Sequence, residues 1–191
     1  MELLKNRRLI LASKSPRRSQ LLAEAGFDFE IKTKEIEESY PADMLAIEVA
    51  SFLAKKKAAA FADDMKDGEI VLTSDTIVVL GNTIFGKPKD YDDAFQILRQ
   101  LSGTTHLVIT GVCLLSTEKE KVFQGVAKVY FKDLSDEEID FYIRKFEPYD
   151  KAGAYAIQEW IGLCKIEKIE GTYSTIMGLP VEMVYEELRK F

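Results

Sequence analysis

Apolar positions along this chain follow two rhythms. Short unbroken runs read as buried strands, and three- or four-residue steps read as helices with one apolar face. The first run, Leu9-Ile10-Leu11-Ala12, predicts a strand. Ser15-Pro16 then supplies a capping hydroxyl and a proline at the first helical position, opening a helix through Leu21, Leu22 and Ala25 that stops at Gly26. Leu45, Val49, Phe52, Leu53 and Phe61 predict a second helix over residues 42–62, with Lys55 and Lys56 on its other face and the polar 63–68 stretch at its end. Residues 70–80 read as a strand that turns at Gly81-Asn82 and returns through Thr83 to Phe85. Ala94, Ile97, Leu98 and Leu101 mark a third helix closed by Gly103, followed by two long strands, 106–116 and 122–132, expected to be antiparallel neighbours. Ser135 and Glu138 form a capping box for a helix through Ile139, Tyr142, Ile143 and Phe146. A loop rich in small residues, 150–158, precedes a strand near 163–169 and a final helix from Pro180.

No linker, low-complexity run or repeat interrupts the 191 residues, so a single domain over 1–191 is expected: α/β, a mixed sheet with flanking helices. An apolar fraction of 47% closes a sizeable core. Twenty-six Lys+Arg against 32 Asp+Glu give a net charge of −6, which argues against a nucleic-acid partner held on a general basic face; any polyanion must bind locally. Two cysteines far apart and one histidine offer neither a zinc ribbon nor a disulfide framework, which suits a reducing cytoplasm. The basic N-terminal stretch has too short an apolar run for a signal peptide or spanning helix, so neither secretion nor a membrane is expected.

Candidate chemistry gathers at a few places. Ser13-Lys14-Ser15-Pro16-Arg17-Arg18 sets hydroxyls and guanidinium groups where a strand feeds a helix, which reads either as a phosphate site or as a solvated basic turn. Gly81 to Pro88 nearly spells a P-loop, but Pro88 stands where a Mg²⁺-binding hydroxyl belongs, so that reading fails; Lys87 is either a point charge for a phosphate or an exposed turn lysine. Asp75, a carboxylate within an apolar strand, needs a cation or donors to stay ionised, and is either functional or a buried structural aspartate. Glu35, Glu37 and Glu38 read as a solvated face, or, together with Asp75, as hard oxygen ligands for Mg²⁺. Gln158 could read a base edge or be an ordinary loop glutamine, and His106 reads as structural.

Six ordered segments carry a likeness: Leu-Ala-Ser13-Lys-Ser-Pro-Arg17-Arg18, Ser74-Asp75-Thr76, Gly86-Lys87-Pro88, Leu101 to His106 with Thr110-Gly111-Val112, Asp150 to Gln158, and Gly178-Leu-Pro180. Together they closely resemble the Maf family, first named for septum formation, whose members are metal-dependent nucleoside triphosphate pyrophosphatases. The resemblance implies a Maf/ITPase-like fold with an elongated mixed sheet and a substrate cleft between two lobes. It implies a nucleoside triphosphate as partner, a divalent cation (Mg²⁺ or Mn²⁺) as cofactor, and a homodimer, since the family often forms one. By the same resemblance Asp75 accepts the proton of the attacking water, and Ser13, Arg17, Arg18, Lys57 and Lys87 bind phosphates. Glu38 lies with Asp75 near the metal, while Arg17, Thr76 and Gln158 govern substrate choice. The Ala-Ile-Gln158 ending resembles the subgroup that prefers dTTP and UTP. A pyrophosphatase of modified purine triphosphates such as 7-methyl-GTP, and a nucleotide-sensing regulator of cell division, are the alternatives. This chain departs from the subgroup at Ala156 and Glu159, where glycines are usual, at Trp160, and at Ser74, which replaces an alanine; Glu159 and Trp160 either reshape the base pocket or point into solvent and core.

Overall fold

The structure is a computed structural model that describes Leu4 and residues 7–191. Its strands are β1 (Arg8–Leu11), β2 (Phe29–Ile31), β3 (Glu69–Leu80), β4 (Thr83–Phe85), β5 (Thr105–Leu115), β6 (Glu120–Phe131) and β7 (Ile166–Glu170). They form one seven-stranded sheet in the order β2-β1-β3-β5-β6-β7, with β4 paired to β3. β1 runs parallel to both β2 and β3, whereas β3–β4 and β6–β7 are antiparallel, so the sheet is mixed as expected. β5 and β6 are joined by a tight turn in which Ser116 N–H donates to the Lys119 carbonyl at 2.8 Å; so short a connection allows only antiparallel strands. The helices are α1 (Pro16–Glu24), α2 (Ala46–Ala59), α3 (Tyr91–Leu101), α4 (Asp136–Phe146), α5 (Trp160–Cys164), α6 (Tyr173–Ile176) and α7 (Val181–Leu188). Among the described residues no helix is long and apolar enough to cross a membrane.

The chain forms two compact units. The first holds the chain through Asp75, Thr110–Gly125 and Gly178–Phe191; the second holds Thr76–Ile109 and Val126–Met177. In the first, Ile10, Phe61 and Val71 make one apolar cluster, and Ala54, Ala58 and Cys113 another. In the second, α3 and α4 bury Ile97, Leu98, Leu101, Ile139, Tyr142 and Ile143 with Val108, Val129 and Phe131.

Local chemistry explains most boundaries. The Ser135 hydroxyl accepts the Glu138 N–H and the Glu138 carboxylate accepts the Ser135 N–H, so the capping box forms as read. The 81–82 turn pairs Leu80 with Thr83. Ser15 occupies the N-cap of α1 but makes no capping bond with its side chain; instead its N–H donates to Ser13 Oγ at 3.2 Å. The second helix is shorter than residues 42–62; Val49 and Leu53 of the predicted stripe, and Phe61 beyond its end, are buried as expected, but the buried face is centred nearer a row of alanines. Leu45 is 65% exposed and Phe52 lies at the surface, while Ala50, Ala54 and Ala58 face inward. The cause is close approach: a Cβ at Gly111 of β5 would lie 2.3 Å from the Ala50 carbonyl carbon, so only small side chains fit on that face. The strand expected near 163–169 begins only at Ile166, because residues 160–164 form α5. The apolar alternation there misleads: Ile161 is buried but Leu163 is 80% exposed. Two short elements, β2 and the Thr172-capped α6, carry too few apolar residues to show a period.

Gly111→Ala should therefore lower stability by about 2 kcal/mol or more through overpacking against α2, read as a lower urea midpoint at unchanged slope.

Candidate active site

Asp75 sits in β3 with only 8% of its surface exposed, flanked by the buried Thr73, Ser74 and Ile77. A carboxylate there must be compensated, and α2 supplies the cation. Lys57, in the last turn of α2, places Nζ 2.5 Å from Asp75 Oδ1 and 2.7 Å from Glu38 Oε1. One ammonium thus bridges two carboxylates. Glu35 instead meets the exposed Lys14 at 3.5 Å and Glu37 is exposed, so only Glu38 of the acidic cluster joins Asp75.

The turn from β1 into α1 brings a second set of groups. Ser13 is buried, and its Oγ accepts from Arg18 Nη1 at 3.1 Å as well as from Ser15 N–H. Arg18 Nε donates to the Gly178 carbonyl at 2.8 Å, and Ser74 Oγ donates to the same carbonyl at 2.9 Å. Gly178 has φ +104, a backbone region that side chains disfavour. Burial pushes the Arg18 pKa down; the charge of Asp75 pulls it up, Arg17 opposes and Glu38 assists. Its guanidinium stays cationic in any case. Arg17 lies half-buried in the first turn of α1. Ser13, Arg17, Arg18, Glu38, Lys57 and Asp75 all belong to the first unit, where Lys57 pairs with Glu38 and Asp75 and the charge of Arg18 interacts with Asp75, Arg17 and Glu38.

Thr76, Lys87 and Gln158 belong to the second unit. Thr76 is half-buried, while Lys87 and Gln158 are exposed. The Lys87 turn is anchored where Gly153 N–H donates to the Gly86 carbonyl at 3.0 Å. Gly153 has φ +72, and a Cβ there would come within 2.7 Å of Val78 Cγ2, so this position admits no side chain. Glu159 turns inward: its carboxylate accepts from the Tyr142 hydroxyl and pairs with Lys151 Nζ at 3.4 Å. Lys151 is itself buried and also meets Asp150 at 2.8 Å. Ser74 as a partner of Gly178, and Lys151 as a partner of Glu159, were not legible as such; a lysine placed beside an aspartate in a small-residue loop was the available signal for the latter.

Among the described residues no group of three or more His, Cys, Asp or Glu side chains converges as a self-sufficient metal cage. Glu38 and Asp75 nevertheless present two carboxylates to one point, and Mg²⁺ typically takes one or two carboxylates and completes its shell with water and substrate phosphates. That donor set fits such a cation.

An α/β fold with a buried carboxylate, a bridging lysine and paired arginines at a strand–helix corner defines a protein equipped to handle an anion. The chain belongs to the Maf family: the model described as Maf-like protein matches residues 8–191. A relative from Flavobacterium johnsoniae named dTTP/UTP pyrophosphatase is 51% identical, over 98% of this chain and 96% of its own. Relatives of the same name from Phocaeicola vulgatus and Flavobacterium psychrophilum are 49% and 48% identical, covering 100% and 94% of this chain and 99% and 92% of theirs. A solved nucleoside-triphosphatase / dITP/XTP pyrophosphatase from Mycobacterium abscessus aligns with 65% of this chain and 72% of its own at 16% identity and a TM-score of 0.39, too slight a likeness to carry an argument.

His106 lies in the apolar interior of the second unit. It is 1% exposed, its ring meets Phe131 and Tyr155 edge-on at 4.8 and 5.5 Å, and Nε2 is 2.8 Å from the Tyr155 hydroxyl. Nδ1 has no hydrogen-bond partner, and burial pushes the imidazole pKa from 6.5 down to about 4. Because the folded value is the lower one, the unfolded chain takes up the proton first as pH falls. Stability is then complete above about pH 6.5 and drains away toward pH 4, by up to ~3 kcal/mol from this group. Urea midpoints measured between pH 7.5 and 4.5 should fall less steeply in His106→Gln than in the unaltered protein.

Proposed function

We propose that this protein hydrolyses dTTP and UTP, and modified pyrimidine triphosphates of the same shape, to the nucleoside monophosphate and pyrophosphate. The observation that carries the reading is Asp75, a buried carboxylate held by the ammonium of Lys57. The names of relatives at 43–51% identity over nearly the whole chain support the substrate class.

The charge count suits the chemistry. A triphosphate brings several negative charges, and the cluster offers Arg17, Arg18 and Lys57; the family likeness adds Lys87 as a further phosphate-binding cation. Entry of the triphosphate gives the Lys57 ammonium new anionic partners. That releases Asp75 Oδ1 to accept a hydrogen bond from water, because the pair is held by charge on a flexible four-carbon stem. As the water oxygen bonds to phosphorus, its proton passes to Asp75, the anhydride bond to the bridging oxygen breaks, and pyrophosphate leaves. No covalent nucleophile is needed. Arg18, fixed between Ser13 and the Gly178 carbonyl, offers its remaining donors in a set direction rather than from a swinging side chain. Glu38 and Asp75 would hold a divalent cation, Mg²⁺ or Mn²⁺, which when bound neutralises charge developing on the phosphate oxygens. Thr76, Gln158 and Arg17 take the part of substrate choice in this reading. A cytosolic homodimer completes it.

Three outcomes are expected. Purified protein with Mg²⁺ or Mn²⁺ should release monophosphate and pyrophosphate from dTTP and UTP, in preference to CTP, ATP, GTP and 7-methyl-GTP. Products from 7-methyl-GTP alone would reassign the base preference; binding without turnover across the panel would make the protein a sensor. Asp75→Asn should cut kcat by ~10²-fold or more while nucleotide binding persists, and an unchanged kcat in that variant would overturn the mechanism. Arg17→Ala should instead raise KM.

A further inference from the structure

Gln158 carries the base reading, yet it is exposed and its own side chain is not what fixes it. Residues on either side of it are held by a single atom. The Tyr142 phenolic oxygen accepts the Ala156 N–H at 3.0 Å and donates to the Glu159 carboxylate. Tyr142 projects from the middle of α4, fully buried, with its ring stacked on Phe146 at 5.0 Å. Burial pushes its hydroxyl pKa upward and Glu159 adds to this, so the proton stays on the phenol and keeps donating. Glu159 is secured a second time by Lys151, and its own N–H donates to the Ala156 carbonyl at 3.2 Å. The far side is closed sterically: a Cβ at Gly162 would lie 1.6 Å from the Ile157 carbonyl oxygen, so α5 is seated directly against this turn.

A phenyl ring would fill the same space in the core of the second unit, so the hydroxyl serves orientation rather than volume. Buried polar atoms of this kind are costly unless fully paired, and here each partner is a neighbour of Gln158. We propose that Tyr142 is a positioning residue for base selection: its hydroxyl clamps Ala156 and Glu159 together and thereby fixes the direction in which Gln158 offers its amide to the pyrimidine. This rests on the reading of Gln158 as the base reader. It also gives Glu159, where this chain departs from the glycine usual in the subgroup, a role in the clamp rather than in the pocket.

The test compares kcat/KM for UTP with that for GTP in Tyr142→Phe, Glu159→Gln, Glu159→Ala and Gln158→Ala, alongside inhibition by pyrophosphate. Tyr142→Phe should reduce the UTP preference about tenfold, through KM rather than kcat, with pyrophosphate inhibition unchanged. Glu159→Gln keeps an acceptor for the phenol and should retain most of the preference that Glu159→Ala loses; this pair stands even if Tyr142→Phe folds poorly. If Gln158→Ala loses the preference but Tyr142→Phe and Glu159→Ala keep it, the clamp is overturned and the base reader survives. If Gln158→Ala keeps the preference, both fall. A loss of kcat on every nucleotide in step with a lower Tm would mark Tyr142 as structural only and overturn the proposal.

Discussion

Everything around the site answers to one constraint: a charge at Asp75 cannot exist inside β3 unless a cation is delivered to it. Lys57 makes that delivery, and it can do so only because α2 lies close against the sheet. The closeness depends on Gly111 opposite Ala50, and on alanines where a bulkier helix face would hold the backbone away. The last turn of a helix is also the favourable place for a positive charge, since the carbonyl ends of the peptide dipoles point there. Removing one member of such a buried pair typically costs about 3–5 kcal/mol. A glycine on one element, small residues on another and a lysine at a helix end are thus a single device, although they look unrelated along the chain.

Both units use neutral partners to orient charged groups, although Glu159 is also paired with the Lys151 ammonium. In the first, a serine hydroxyl and a glycine carbonyl direct Arg18; in the second, a phenol directs Glu159. Neutral partners leave the net charge of the cluster unchanged, so the cations keep their attraction for an anion while losing their freedom to wander. Side chains fixed in this way need less ordering when a ligand arrives.

What the sequence disclosed followed from how local each cause was. The Ser135–Glu138 cap and the Gly81-Asn82 turn involve residues within a few positions of one another, and both were legible as written. The close seating of α2 was not, because it depends on Gly111, a residue some sixty positions away that only the folded chain brings alongside. Lys57 is the sharpest case. It closes a run of three lysines whose members end on different partners: Lys55 on Glu120, Lys56 on Ser39, and Lys57 on Glu38 and Asp75. No period or charge pattern separates them, and only the likeness to a known family singled out the third. Asp75 was legible because an ionisable letter inside an apolar run is anomalous in itself, whereas Ser74 was not, since its donation to Gly178 joins positions 104 apart.

That carbonyl has a bearing on synthesis. Arg18 leaves the ribosome early, but its acceptor at Gly178 follows 160 residues later. Until then the guanidinium has Ser13 without the second anchor, and Ser74 lacks its acceptor as well. A chain interrupted before Gly178 contains all seven strands and still lacks the carbonyl that directs Arg18. The second anchor is conferred late, by a glycine that contributes a backbone oxygen and no side chain.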